Sequence, residues 1–227
     1  MSDQTPITPW PARTGAPCLL FGGSFDPPHL AHVRLSRLAL ARARPTGTLV
    51  IVPAARSPHK PDGPVASDAD RLAMVRLAWA GYADTAVWTD ELDRAADAPS
   101  YWIETLRRAA EITRDSLAFL IGADQAAALH RWKDAREILA LAEPVIAPRE
   151  PISDRDALRS RLRDAGFWSQ DESDRLADAF RDDLPTVPGS STDVRGGAPG
   201  LVPAAVEDYA RRHALYGLVP PVSRPPT

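Results

Sequence analysis

Two histidines three residues apart, His29 and His32, follow a pair of glycines in the stretch LLFGGSFDPPHLAH. On a helix, positions three apart share a face, so both imidazoles can reach one ligand. Imidazole donates a hydrogen bond to a phosphoryl oxygen, and when protonated it also offsets the charge that builds during phosphoryl transfer. The residues before the histidines supply the complementary half of such a site. Gly22 and Gly23 carry no Cβ, so their backbone N–H groups can approach an oxyanion closely, and Ser24 adds a hydroxyl. The N-terminus of the following helix contributes unpaired donors and a partial positive charge. Asp26, just before two prolines, is a turn or N-cap residue as readily as a ligand contact. The chain contains neither G-x-G-x-x-G nor G-x-x-x-x-G-K-[ST], so a dinucleotide fingerprint and a P-loop are both unsupported. Five histidines and one cysteine offer no metal-ligand spacing.

A second segment, VPGSSTDVRGG, repeats this logic near the other end of the chain. Ser190, Ser191 or Thr192 can cap a helix and present hydroxyl and N–H groups to a phosphate, while Arg195 supplies a forked, permanently charged donor. Taken alone, the segment reads more readily as a surface capping sequence; beside the first motif, the phosphate reading prevails.

These residues need a frame, and the sequence predicts one. Short apolar runs, Cys18 to Phe21, TLVIVPA, VWTDEL, LAFLIGA and EPVIAP, read as buried strands ended by Gly, Pro or charge. Ala31, Leu35, Leu38 and Ala39 recur at helical spacing, predicting a helix to about Ala43. Ser67 or Asp68 can cap a helix carrying Leu72, Val75, Leu77 and Trp79, and Ser100 precedes another through Ile103 and Leu106. Strand and helix alternate, which predicts an α/β fold: a Rossmann-like, doubly wound parallel sheet with helices on both faces and a small C-terminal helical part. In such a sheet ligands sit beyond the carboxyl ends of the strands, where Gly22-Gly23-Ser24 falls. Residues 153–183, dense in Arg and Asp, are expected to form one or two solvated surface helices inserted before a last strand near Leu184 to Val187.

At 227 residues and 44% hydrophobic, the chain is long enough for one such domain, expected over 15–219 between loose tails at 1–14 and 220–227. A net charge of −3 argues against nucleic acid or an anionic membrane surface as partner. No apolar run approaches the length of a bilayer span. Lone Cys18 cannot form an internal disulfide and suits a buried thiol in a cytoplasmic protein.

GGSFDPPHLAH resembles the G-[ST]-F-D-P-x-H-x-G-H signature of the nucleotidyltransferase superfamily, with Ala31 in place of the glycine between the histidines. SPHK (Ser57 to Lys60), ELDRAADAPSYWIETL (Glu91 to Leu106), IGADQAAALHRWKD (Ile121 to Asp134), SSTDVR and AAVEDYARRHALYG follow in the order of one branch. Together, from about Leu19 to Tyr216, they look like bacterial nicotinate-nucleotide adenylyltransferases. That resemblance implies adenylyl transfer from ATP, with Mg²⁺, to nicotinate mononucleotide, giving deamido-NAD and pyrophosphate in NAD biosynthesis. Nicotinamide mononucleotide or phosphopantetheine as acceptor, or a nucleotide sensor without turnover, are the alternatives, and self-association into a homo-oligomer stays open.

Carried onto matching positions, the resemblance makes His29, His32 and Arg195 catalytic, with His32 nearest the α-phosphate and Arg195 on the β- and γ-phosphates. Gly22, Gly23, Ser24, Phe25, Lys60, Gly122, Asp124, Ser190, Ser191 and Thr192 would bind ATP. Asp124 would take both ribose hydroxyls or else cap the next helix. His59, Tyr101, Trp102 and Trp132 would bind the acceptor. Trp102 stands where the family has threonine, so its indole either reshapes the pyridine pocket or points into the core.

Overall fold

The computed structural model describes residues 9–11, 15–58, 62–94 and 99–218. Five strands form the sheet: β1 (Cys18–Gly23), β2 (Thr48–Pro53), β3 (Thr85–Val87), β4 (Leu117–Gly122) and β5 (Glu143–Ala147). Their order is β3-β2-β1-β4-β5, and every pairing is parallel. The helices between and after them are α1 (Leu30–Ala43), α2 (Asp68–Ala78), α3 (Asp90–Arg94), α4 (Trp102–Ile112), α5 (Ala123–Ala127), α6 (Ala135–Leu141), α7 (Arg155–Asp164), α8 (Gln170–Asp178), α9 (Ser191–Arg195) and α10 (Ala204–Arg212).

Successive strand side chains point to opposite faces, so β1 and β2 feed two cores. Cys18, Leu20, Val50 and Val52 pack with Ile103 and Leu106 of α4, Ile138 of α6 and Leu158 of α7. Leu19, Leu49 and Ile51 face the other way, against Val33 and Leu40 of α1, Met74 and Val75 of α2, and Val206 of α10. The strands are therefore near-continuous apolar runs, as a sheet covered on both faces requires.

The centre of the sheet opens at one end. β1 pairs with β2 along its whole length, from Cys18↔Thr48 to Gly23↔Pro53, but with β4 only through Cys18, Leu19 and Leu20. Beyond that point the ends of β1 and β4 part. The connection after β1 also crosses to β2 on one side while β4 leads to β5 on the other, the strand-order reversal at which open α/β sheets bind ligands.

Several sequence expectations are corrected. No strand forms over Leu184 to Val187. Pro185 and Pro188 lack the N–H that a strand must donate, and among the described residues the outer side of β5 carries only an isolated bridge, Ile146 to Phe180. The run VWTDEL is a strand only to Val87. Asp93 donates its N–H to the Thr89 carbonyl as α3 begins, drawing Asp90 and Glu91 into a helical turn. The 153–183 segment is two helices, α7 and α8, but not a solvated add-on. Leu158, Leu162, Trp168 and Leu176 are buried in the first core, while Arg159 and Arg163 pair with Asp174 on the outer side. The expected 1–14 tail includes Trp10, which is seated edge-on against Trp88 with ring centroids 4.8 Å apart. The expected C-terminal tail at 220–227 lies outside the described residues.

Candidate active site

The gap between β1 and β4 is the mouth of a cavity of about 970 Å³, lined by Gly22, Gly23, Ser24, Phe25, His29 and His32 on one side and Gly122 and Asp124 on the other. That volume is at the upper end of the range for small-molecule sites. Each wall follows from local sequence.

The first wall is a tight turn. Phe25, buried and with φ +47, takes the left-handed conformation that few non-glycine residues adopt. Its ring meets those of Phe21, His32 and Trp79 edge-on at 5.1 to 5.5 Å, which holds it there. Phe25 thus positions His32 from behind while lining the cavity. The bond between Asp26 and Pro27 is cis.

Helix α1 then begins with an unusual reciprocal cap. His29 is the N-cap residue, and its Nδ1 accepts the N–H of His32 at 3.4 Å; His32 Nδ1 accepts the N–H of His29 at 3.2 Å. The two rings stack 3.6 Å apart, 22° from parallel. An Nδ1 that accepts an N–H carries no proton, so these bonds assign both neutral rings the tautomer with hydrogen on Nε2. Burial pushes the His29 pKa down to about 4, helped by the nearby positive charge of Arg149 and opposed by Asp193. At neutral pH His29 is therefore an uncharged Nε2 donor, not the charge-neutralising imidazolium that sequence allows. Ala31, at the position where the signature has glycine, also faces the cavity.

The second wall comes from the far end of the chain. Ser190 caps α9 reciprocally with Asp193, and the Ser191 hydroxyl donates to the Pro27 carbonyl at 2.9 Å. Ser190, Ser191 and Asp193 line the same cavity as the histidines, joined by Thr186, Val187, Pro188 and Gly189. Thr192 and Arg195 lie a step behind. Arg195 donates to the Asp26 carbonyl at 2.6 Å and to the Thr192 hydroxyl at 3.3 Å.

The remaining expected residues divide cleanly. Gly122 and Asp124 follow β4; Gly122, not Asp124, is the N-cap residue of α5. The Asp124 Oδ1 atom is buried with no hydrogen-bond partner among the described residues, an acceptor suited to a sugar hydroxyl. Tyr101, Trp102 and Trp132 converge as an aromatic wall, with Lys133 standing 4.6 Å over the Tyr101 ring. Trp102 does both things the sequence left open: it lines the cavity and packs on Phe119 of the core. Its ring lies so close to Gly22 that a Cβ there would sit 2.7 Å from it. His59 and Lys60 lie outside the described residues.

Sequence reasoning missed Arg149 and Glu91, both on the cavity wall. Arg149 follows β5, so the same carboxyl-edge rule that picked out Gly22 and Gly122 would have found it. Glu91 left no such signal: it is a buried carboxyl at the cavity edge, accepting from Thr105 at 2.7 Å, its pKa raised by burial.

The fold and this site define a nucleotidyltransferase of the cytidylyltransferase-like class, whose family model matches residues 20–197. Relatives named "Probable nicotinate-nucleotide adenylyltransferase" are similar over nearly the whole chain. The one from Chromobacterium violaceum is 38% identical over 217 residues, 90% of this chain and 99% of the relative. That of a Synechococcus strain is 34% identical over 220 residues, covering 94% and 99%. Among solved structures, the Plasmodium falciparum nicotinic acid mononucleotide adenylyltransferase complexed with NaAD shares the fold, with a TM-score of 0.65 at 14% identity over 90% of this chain and 98% of that one. The chain belongs to the cytidylyltransferase-like family and, within it, to the nicotinate-nucleotide adenylyltransferases.

Proposed function

We propose that the protein transfers the adenylyl group of ATP to nicotinate mononucleotide. A phosphate oxygen of the mononucleotide attacks the α-phosphorus of ATP in line, the bond from that phosphorus to the bridging oxygen breaks, and pyrophosphate leaves with the electron pair. No covalent enzyme intermediate is needed, so the protein's work is positioning and electrostatic stabilisation. The observation that carries this reading is the convergence of His29, His32, Ser190 and Ser191, from opposite ends of the chain, on one cavity at the strand-order reversal.

In this reading the Nε2–H groups of His29 and His32 donate to the triphosphate, with His32 at the α-phosphate. Because their Nδ1 atoms are already engaged by backbone N–H groups, the donors are preorganised and need no reorientation as charge develops. Gly22 and Gly23 admit the phosphates, Ser190 and Ser191 meet their far end, and Thr192 and Arg195, a step behind the cavity wall, brace that segment against the Asp26 turn. Asp124 takes the ribose, and Tyr101, Trp102 and Trp132 enclose the pyridine ring.

Among the described residues no group of three or more His, Cys, Asp or Glu could hold a metal ion. The Mg²⁺ expected with ATP would travel on the triphosphate, where it would screen phosphate charge. No described helix is long and apolar enough to cross a membrane. The lone buried thiol of Cys18 supports a cytoplasmic placement.

The test is pyrophosphate release by purified protein with ATP and Mg²⁺, supplied in parallel with nicotinate mononucleotide, nicotinamide mononucleotide and phosphopantetheine. Preference for the first is expected. Preference for another acceptor would overturn the substrate assignment, and ATP binding without release from any would point to a nucleotide sensor. His32→Ala is expected to lower kcat by about 10²–10³ with a modest change in the ATP KM; activity within threefold of wild type would remove His32 from the chemistry.

A further inference from the structure

Asp26 sits between the two phosphate-facing walls but is absent from the cavity lining, and it is almost wholly buried. A buried carboxylate is costly unless its lone pairs are met. Here they are met from two remote parts of the chain. Oδ2 accepts the N–H of Val65 at 2.7 Å, Oδ1 accepts the N–H of Ala66 at 3.1 Å, and Oδ1 also accepts the Tyr216 hydroxyl at 2.7 Å. The Asp26 carbonyl accepts from Arg195, whose guanidinium lies 3.8 Å from the carboxylate as well. Next to it, the Pro27 carbonyl takes the Ser191 hydroxyl. One residue thus joins the turn before α1, the approach to α2, the helix α9 and the end of the described chain.

Tyr216 is built for this contact. It has a left-handed φ of +56, and Ala214 two residues earlier has φ +51, a conformation that β-carbon sterics disfavour unless the surroundings hold it. The segment that contains it is secured to α2 by a second phenol–carboxylate bond, from Tyr209 to Asp70 at 2.9 Å. Burial, then the bond to Asp26, raise the Tyr216 pKa far above its ordinary value, so the phenol stays a donor throughout the physiological range.

We propose that Asp26 is a positioning residue for adenylyl transfer, clamped by Tyr216, that sets the spacing between the His29–His32 pair and the Ser190–Arg195 segment. It touches no substrate; it acts through the first turn of α1 and through Arg195. The triphosphate must bridge both walls, so loosening Asp26 weakens ATP binding. The acceptor, held at the Tyr101–Trp132 wall on the other side of the sheet opening, is little affected. The inference rests on the adenylyl-transfer reading for its ligand.

The experiment compares Tyr216→Phe, Asp26→Asn and the double variant with wild type, measuring ATP affinity by calorimetry, the KM for each substrate, and thermal unfolding. Phenylalanine keeps the ring and deletes one hydrogen bond to a charged acceptor, so the ATP Kd is expected to rise about tenfold. Asparagine presents an N–H₂ where only acceptors fit, so a rise of at least that size is expected. In the double variant the two losses should not multiply, because both act through one contact. The KM for the mononucleotide should stay within about twofold. A residue that only stabilised the fold would lower the active fraction, reducing kcat and the unfolding midpoint while leaving both KM values and the Kd per folded molecule unchanged. That result, or losses that multiply, overturns the proposal. Should Asp26→Asn fail to fold, Tyr216→Phe decides alone. The two readings fail separately: wild type that binds ATP but transfers nothing refutes the transfer reaction while the calorimetric comparison still judges Asp26, and wild type that binds no ATP refutes both.

Discussion

Protonating His29 should unfold this protein sooner than its carboxylates alone would. Its folded pKa is about 4 against an ordinary 6.5, because the ring is buried and Arg149 lies near, only partly opposed by Asp193. Between those two values the unfolded chain binds a proton that the folded chain refuses, so stability rises with pH across the window and is lost as pH falls through it. A gap of some 2.5 units at about 1.4 kcal/mol each corresponds to roughly 3 kcal/mol, complete only below the folded value. The direct comparison is His29→Asn. Asparagine is among the best N-cap residues and its side-chain oxygen can replace the Nδ1 acceptor, while the titration disappears. Chemical denaturation at half-unit steps from pH 7.5 to pH 4 should therefore give curves that coincide near neutrality, within about 1 kcal/mol, and diverge in acid, with wild type the less stable. Carboxylates such as Asp84 and Glu172, whose folded pKa values are lowered by Arg37 and Arg136, lose their contribution in acid in both proteins and cancel in the difference. Parallel curves down to pH 4 would mean that the imidazole is not held neutral by its surroundings. The same variant keeps the cap but has no Nε2 donor, so transfer should fall about a hundredfold while folding is intact.

Two further outcomes follow from packing. Gly22→Ala should cost about 1–3 kcal/mol in thermal unfolding, because its Cβ would meet the Trp102 ring at 2.7 Å, and the same substitution should cost much less in a Trp102→Thr background; an equal loss with and without the indole would place the strain elsewhere. Asp90 has a fully buried side chain held by Arg94 at 2.8 Å and Arg108 at 2.7 Å, so Asp90→Ala should destabilise by about 3–5 kcal/mol, because it removes the buried carboxylate that both guanidinium groups share. A change under 1 kcal/mol by urea denaturation would show that water readily replaces the carboxylate.

Much of this was written in local sequence. Strand runs bounded by Gly and Pro, the cap at Ser67 and the helix from Leu30 to Ala43 depend on neighbours within a few residues, and they formed as the pattern predicts. The glycine pair that ends β1 and the spacing of the two histidines likewise put a helix start at the cavity wall, since glycine's missing Cβ and the i, i+3 spacing are properties of nearby residues. At Leu184 to Val187, Pro185 and Pro188 withhold the N–H groups a strand needs, and no strand forms there.

What local sequence could not hold was distance. That Ser191 reaches the Pro27 carbonyl, that Tyr216 closes on Asp26, and that Trp102 rests on Gly22 are contacts between residues far apart in the chain, set by the order of strands in the sheet. The protonation of His29 belongs to the same class: its type and position come from the sequence, but the burial that keeps it neutral comes only from the residues folded around it.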